Sequence, residues 1–439
     1  MDIINSLPDS ILCHILSFLE TKCYVRTSVL ARRWRFLWTS VRNLSFVEPS
    51  IRSEEAENRI GFADMVYRVL LLHNGSIDSL RISALLNIIN RYQIDAWLST
   101  AIARNVQVLS LSSISNELPH CCFKCTTLVE LSLDWCNISA KHGVVCLPKL
   151  KTLNLVSNYY EDYETLANLV SGCLAIENLV IKVDSEVCDI FSICSHTLKS
   201  LVLRFSVTPC GLYHDHKLML DIPAVQYLWI DGTISFFISV EKLSSLVVAH
   251  VRLSDGFHSS EDLDSEDEQN NPEVEEVNIS RWRDIFQLVE KLSNAKSLTF
   301  RICASMKLWN PTFSFATVRF HNLTKLKLEA DWHILTEFLK SAYKLESLTV
   351  KKVEGKLKCW REPKDLPECL LSSLKYVCIC GFAGGEHELN MVRYILRHAK
   401  ILKTIKIDSA SPDNDSKLNM LQRISYFPRG SKNCRLTFV

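Results

Sequence analysis

A short apolar pattern, L-x-x-L-x-L, recurs along nearly the whole chain, and no other feature restricts the fold as strongly. It reads IDSLRI at 77–82, VQVLSL at 106–111, LVELSL at 128–133, LKTLNL at 150–155, IENLVI at 176–181 and LKSLVL at 198–203. It continues as VQYLWI at 225–230, AKSLTF at 295–300, LTKLKL at 323–328, LESLTV at 345–350, LKYVCI at 374–379 and LKTIKI at 402–407. Starts lie 22 to 29 residues apart through most of the array, with breaks around 83–105 and 231–294. Alternate residues of a strand point to opposite faces, so the apolar positions of each L-x-L share one face. A unit this small cannot bury that face alone and needs neighbours of its own kind. Helical stripes precede some of the strands: Leu166, Leu169, Val170 and Cys173 ahead of Ile176, and Trp332, Leu335, Leu339 and Ala342 ahead of Leu345. Strand, crossover helix and strand in succession give parallel pairing with right-handed connections.

This period and motif resemble the leucine-rich repeat, in which each unit adds one strand to a curved parallel sheet. The fold class expected is therefore α/β, with a repeat solenoid over residues 76–360. Its outward strand positions form the surface offered to a partner. About twelve strands at about 4.8 Å spacing make an arc of roughly 60 Å, enough for a protein. The outward residues singled out for target binding are Arg204, Tyr227, Trp229, Asp231, Lys325, Lys327 and Glu329. The two aromatics stand out because exposed aromatics are typical interface anchors.

Residues 6–19 (SLPDSILCHILSFL) have the signals of a capped amphipathic helix. Ser6 suits the N-cap, Pro8 the first turn, and Asp9 complements the positive helix end. Ile11, Leu12, Ile15, Leu16 and Leu19 fall on one face. Two further short helical patterns carry Val25, Val29 and Leu30, then Trp34, Leu37 and Trp38. Three helices over some forty residues cannot bury this apolar surface among themselves, so part of it must meet the rest of the chain or a partner. The ordered string LPD-x-I-L-x-x-I-L-S-F-L, followed by T-K and S-V-L-A-R-R-W-R-x-L-W, resembles the F-box, over Leu7 to about Leu44. That resemblance implies a three-helix module that docks on a Skp-type adaptor and through it on a cullin. Carried over position by position, the adaptor contacts are Leu7, Pro8, Ile11, Leu12, Ile15, Leu16, Leu19, Val25, Leu30 and Trp34.

The C-terminal part adds a second family resemblance. Residues 369–407 read as strand, glycine loop, helix and strand, and the tail LQRISYFPRGSKNC leads into a short strand, RLTFV. The strings C-x-x-S-S-L-K-x-V and R-x-S-x-F-P-R-x-S resemble the FBD region of plant F-box proteins. The upstream F-A-D-M-V-Y-R-V-L-L-L-H and A-R-N-V-Q-V-L-S-L are similar to that family's spacer. Leu174 and Glu20 stand where the family often has Pro. The organisation expected is an F-box over 1–47, a linker and helical cap over 48–75, the solenoid, and an FBD domain over 361–439. Within the solenoid, residues 254–278 hold nine acidic side chains between Glu261 and Glu276, and no basic one. Such a segment cannot offset its ordering entropy by burial, so a mobile loop is expected. Ser259 and Ser265 each precede an acidic residue by three positions, the spacing of acid-directed phosphorylation.

Other functions leave little trace. No GxxxxGK[ST], GxGxxG, GxSxG or HExxH string is present, and His387–Glu388 is a bare dipeptide in a glycine loop. No catalytic, cofactor-binding or metal-binding residue is assigned, and a non-catalytic receptor is expected. Cys122 and Cys125 form a CxxC beside His120 and Cys121, without the second pair that zinc requires. The 17 cysteines are odd in number and scattered, and Cys146, Cys303, Cys378 and Cys380 sit where Leu or Val would fit. With no secretory signal and no long apolar run, they read as buried reduced thiols of a nuclear or cytoplasmic protein with no membrane partner. Six basic residues and no acidic one fall between Thr21 and Val47, and their interleaving with Trp and Leu places them on a solvated face. A net charge of +1 argues against a nucleic-acid partner. The reading reached is a substrate-recognition subunit of an SCF-type ubiquitin ligase. A repeat scaffold without ligase function, or a small-molecule sensor on the same solenoid, remains as the alternative.

Overall fold

The computed structural model describes residues 4–48, 56–84, 89–139, 145–161, 164–183, 190–205, 216–233, 236–254, 283–303, 318–330, 332–351, 360–410 and 413–439. The acidic segment expected to be a loop, with Ser259 and Ser265, lies outside these residues apart from Ser254. Two compact units divide the chain, Met1–Leu198 and Lys199–Val439.

The first unit begins with helices α1 (Asp9–Leu16) and α2 (Thr21–Arg26), followed by 3-10 turns at Thr27–Val29, Arg32–Arg35 and Leu37–Ser40. Pro8, rather than Ser6, is the N-cap of α1, and the Trp34 and Trp38 segments are 3-10 turns rather than an α-helix. Strand β1 (Asn43–Val47) follows, then α3 (Ala56–Leu72), β2 (Ser79–Ser83), α4 (Arg91–Ala103), β3 (Val108–Ser112) and β4 (Glu130–Asp134). The rest is β5 (Asn137–Ile138), β6 (Thr152–Val156), β7 (Tyr159–Tyr160), α5 (Glu164–Ser171), β8 (Asn178–Val183) and β9 (Ile190–Cys194). Strands β1, β2, β3, β4, β6 and β8 pair in that order, all parallel.

Register sets the core. Leu44, Leu80, Leu109, Leu131, Leu153 and Leu179 lie side by side as one buried row, and Phe46, Ile82, Leu111, Leu133, Leu155 and Ile181 as a second. The helical module is tied to this sheet through β1, which the repeat pattern does not announce. The Thr21 hydroxyl accepts from the Ser45 N–H at 2.8 Å. His73, at the end of α3, is buried and hydrogen-bonds the Val41 carbonyl at 2.9 Å. Burial pulls its imidazole pKa below the ordinary value, against the Val41 hydrogen bond.

Three turns repeat like the strands they follow. Ser113, Trp135 and Ser157 come just after β3, β4 and β6, and each has a positive φ of 50 to 62°. Their N–H groups donate to the carbonyls of Asp134, Val156 and Lys182 in the next repeat, at 2.8, 3.0 and 2.8 Å. Backbone strain at a non-glycine residue is accepted here because it satisfies a donor and turns the chain out of the sheet.

The second unit has β10 (Ser200–Phe205), β11 (His216–Asp221), β12 (Tyr227–Thr233), β13 (Phe236–Val240), β14 (Val248–Ser254), helix α6 over residues 283–291 and β15 (Ser297–Cys303). Then come β16 (Lys325–Glu329), α7 (Trp332–Ser341), β17 (Ser347–Lys351), α8 (Glu368–Ser372), β18 (Tyr376–Phe382), α9 (Glu386–His398), β19 (Thr404–Ser409), α10 (Asn414–Ser425) and β20 (Arg435–Phe438). Its main sheet is again parallel throughout, in the order β10, β12, β14, β15, β16, β17, β18, β19, β20. Leu203, Ile230, Val251, Phe300, Leu328, Val350, Ile379 and Ile407 make one buried row across it.

The break expected around 231–294 contains a further repeat strand, β14. Residues 246–251 read L-x-x-A-x-V, with Ala249 and Val251 in register beside Leu228 and Ile230. Alanine in the leucine place hides the motif without changing which face is buried. In the first unit, the break around 83–105 holds α4, opened by a reciprocal Asn90–Gln93 capping box.

Candidate functional surfaces

The ten candidate adaptor contacts divide into two groups. Leu12, Leu16 and Trp34 are buried together with Tyr24, Leu37 and Trp38 as the core of the helical module. In the chain alone these three supply core rather than open surface, because the face of α1 is wide enough to hold both a core stripe and an outer one. Leu7 and Val25 are half-buried and Pro8 is exposed. Ile11, Ile15 and Leu19, four residues apart along α1 and the turn after it, are 45%, 44% and 44% exposed, and Leu30 is 69% exposed. Phe18, Val29 and Phe36 are also open to solvent, and the sequence reading did not select them. Phe18 was findable, being three positions beyond Ile15 on the same helical face. Arg33 braces the start of α1, donating through Nε to Asp9 Oδ1 at 2.9 Å and through Nη2 to the Leu7 carbonyl.

On the repeats, outward positions differ between the units. In the first they are mostly small hydroxyl and amide side chains joined across strands, as where Asn154 donates to the Ser132 hydroxyl at 2.9 Å. In the second, the candidate target residues are brought onto one face. The Arg204 guanidinium lies 5.3 Å from the Trp229 ring centre. Trp229 and Tyr227 flank His250, at 4.8 and 5.6 Å between ring centres. Asp231 pairs with Arg252 at 3.6 Å. Glu329 is held by Lys327 at 3.1 Å and Arg301 at 3.5 Å. Burial would raise its carboxyl pKa, but the Lys327 hydrogen bond and the charges of Lys327, Arg301 and Lys351 hold it below the ordinary value. Lys325 stands exposed on β16.

The two halves of this set are connected by residues the sequence reading missed. Trp229, His250, Thr299 and Lys327 are successive register partners, as are Asp231, Arg252, Arg301 and Glu329. His250 and Arg252 were missed because they lie on and just beyond the repeat with the alanine, whereas Arg301, one residue past its motif like Arg204, Asp231 and Glu329, was findable.

Other candidates resolve into structural roles. Glu388 of the His387–Glu388 pair is buried and accepts from the Ala383 and Gly385 N–H groups at 2.9 and 3.1 Å, capping α9. Thirteen cysteines are described with their side chains and all carry reduced thiols; the side chain of Cys303 lies outside the described set. Cys122, Cys125, Cys136, Cys173, Cys369 and Cys434 are buried, but Cys146 is exposed and Cys378 and Cys380 are half-exposed, which corrects the expectation for those three. Cys378 and Cys380 occupy the outward positions of β18, where a repeat tolerates any residue. Among the described residues no helix is long and apolar enough to cross a membrane.

Comparisons with known proteins agree with this layout. The F-box domain model matches residues 4–46, a model described as the LRR repeats of FBD-associated F-box protein At5g56370 matches 94–246, and the FBD model matches 362–407. The chain is 28% identical over 455 residues to the F-box/FBD/LRR-repeat protein At5g56420 of Arabidopsis thaliana, covering 100% of this chain and 99% of that protein. It is 29% identical over 469 residues to the F-box/FBD/LRR-repeat protein At3g52680 of the same plant, covering 100% and 93%. To the putative F-box/FBD/LRR-repeat protein At4g26350, also from Arabidopsis thaliana, it is 26% identical over 471 residues, covering 100% and 99%. The fold is thus an F-box followed by leucine-rich repeats. With the C-terminal match, F-box, LRR and FBD models all find counterparts in this chain, as the names of these plant relatives would suggest.

Proposed function

We propose that this chain is the substrate-recognition subunit of an SCF-type cullin-RING ubiquitin ligase. The observation that carries the reading is an F-box sequence whose first helix and following turn keep Leu12 and Leu16 for the module's core and leave Ile11, Ile15 and Leu19 exposed. Exposed apolar side chains at this spacing are what helix-in-groove docking requires, with the buried anchors carrying most of the affinity. The partner is a Skp-type adaptor and, through it, a cullin. Leu7, Pro8, Val25 and Leu30 border the docking face.

The repeats then hold a target protein through the face around Arg204, Tyr227, Trp229, Asp231, Lys325, Lys327 and Glu329. No catalytic group is needed for this work. A receptor raises the effective concentration of target lysines near a charged ubiquitin carrier bound elsewhere on the cullin. The domain limits proposed are 1–47 for the F-box, 48–75 for the cap, 76–360 for the solenoid and 361–439 for the FBD domain, in a protein working in the nucleus or cytoplasm. Pull-down of a purified Skp-type adaptor by the full chain tests the reading, with Ile11→Asp/Ile15→Asp alongside. Retention lost in the variant is the expected result. A folded wild type that retains no adaptor overturns it.

A further inference from the structure

We infer that the repeat face spanning β10 to β17 reads an acidic, extended segment of its protein partner, an assignment that rests on the receptor reading above. The argument begins with where charge collects. Outward positions of these six strands carry Arg204, Arg252, Arg301, Lys325, Lys327 and Lys351, against the carboxylates Asp231 and Glu329. In the first unit the same positions carry Arg81 and Lys182 against Glu130 and Asp134, a balanced set. Strands β18 and β19 are balanced as well, with Lys406 against Asp408. In a chain of net charge +1, the positive excess on this one stretch is therefore a local feature.

Pairing within the face leaves the excess in place. Glu329 is nearly closed off from solvent, its side chain 12% exposed, and is shared by Lys327 and Arg301. It presents almost no negative charge outward, yet it fixes two cations in position. Asp231 engages Arg252. Arg204, Lys325 and Lys351 are exposed at the borders of the set. Between them, Trp229, His250 and Tyr227 form a half-buried aromatic cluster, with the Arg204 guanidinium over the indole. A cluster of tilted aromatic rings bordered by fixed cations suits an extended backbone whose carboxylates reach the rim. Four strands from β12 to β16 span about 14 Å, the reach of four or five extended residues. Nucleic acid fits less well, because a chain of net charge +1 gives no long-range attraction for a polyanion.

The test uses the full chain, an array of twelve-residue peptides graded in Asp and Glu content, and Arg204→Glu/Lys325→Glu. Both residues are exposed, so thermal melting of the variant should match wild type. Expected are binding that rises with acidic content, weakens as salt is raised, and falls at least about tenfold in the variant. Lysine-for-glutamate versions of the best peptides should instead prefer the variant. Binding that ignores acidity, survives charge reversal or is absent in the wild type overturns the inference. Equal or tighter binding of a twelve-nucleotide single-stranded DNA also overturns it. Adaptor pull-down on the same preparations reports the receptor reading separately, since neither substituted residue lies in the N-terminal module.

Discussion

Ile15 and Leu16 are neighbours in sequence with opposite assignments, and substituting them separately tests the division between docking face and core. Ile15 is 44% exposed and Leu16 is 2% exposed. Burying a whole side chain of this type is worth about 1.5–3 kcal/mol, so covering the open part of Ile15 is worth about 1 kcal/mol. Ile15→Ala should weaken adaptor binding about fivefold, and Ile11→Ala/Ile15→Ala roughly thirtyfold if the two add. Unfolding should barely change in either. Leu16→Ala instead opens a cavity in the core of the helical module and should cost about 2–5 kcal/mol of stability. Adaptor titration by calorimetry reads the first effect and urea denaturation followed by circular dichroism reads the second. The reasoning is refuted if Ile15→Ala destabilises the fold as much as Leu16→Ala does, or if both alanine variants at 11 and 15 bind like wild type.

Leu328, fully buried between Phe300 and Val350 in the repeat row, should cost about 2–5 kcal/mol on replacement by alanine, visible as a lower urea midpoint. At Gly430 a Cβ would collide with the Arg397 carbonyl, so Gly430→Ala should lower the melting temperature even though the residue is only one methyl larger. The depressed pKa of His73 means the unfolded chain takes up this proton first as pH falls. Its contribution is therefore full above about 6.5 and is lost as pH falls from there through the folded value. His73→Gln should show a smaller drop in melting temperature than wild type between pH 7.5 and pH 5.5; an equal drop would remove His73 from the account.

Much of this architecture was legible because a repeat states its rule many times. Leu-x-Leu positions at a near-constant spacing identify strands, inward face and parallel order together. What escaped did so for local reasons. Ala249 fills a leucine place, so the strand bearing His250 and Arg252 was invisible to a pattern built on leucine. Strand β1 was covered by the end of the F-box string, although its Leu44 and Phe46 alternate as a strand should. On α1, the sequence identified the apolar stripe but not its partition, because periodicity gives the direction of a side chain and not what covers it. Burial separated Leu12 and Leu16 from Ile11 and Ile15. The outward residues of the sheet were named correctly as positions, but their grouping around His250 and Glu329 depends on cross-strand register.

The receptor role itself is tested most directly in cells. An epitope-tagged full chain and its Ile11→Asp/Ile15→Asp counterpart, expressed at equal level in plant cells, are purified and their Skp-type adaptor and cullin quantified by mass spectrometry. The account predicts both proteins with the wild type, near the same molar amount as the chain, and neither with the variant. Recovery of the wild type without adaptor or cullin, or equal recovery with the variant, would contradict it.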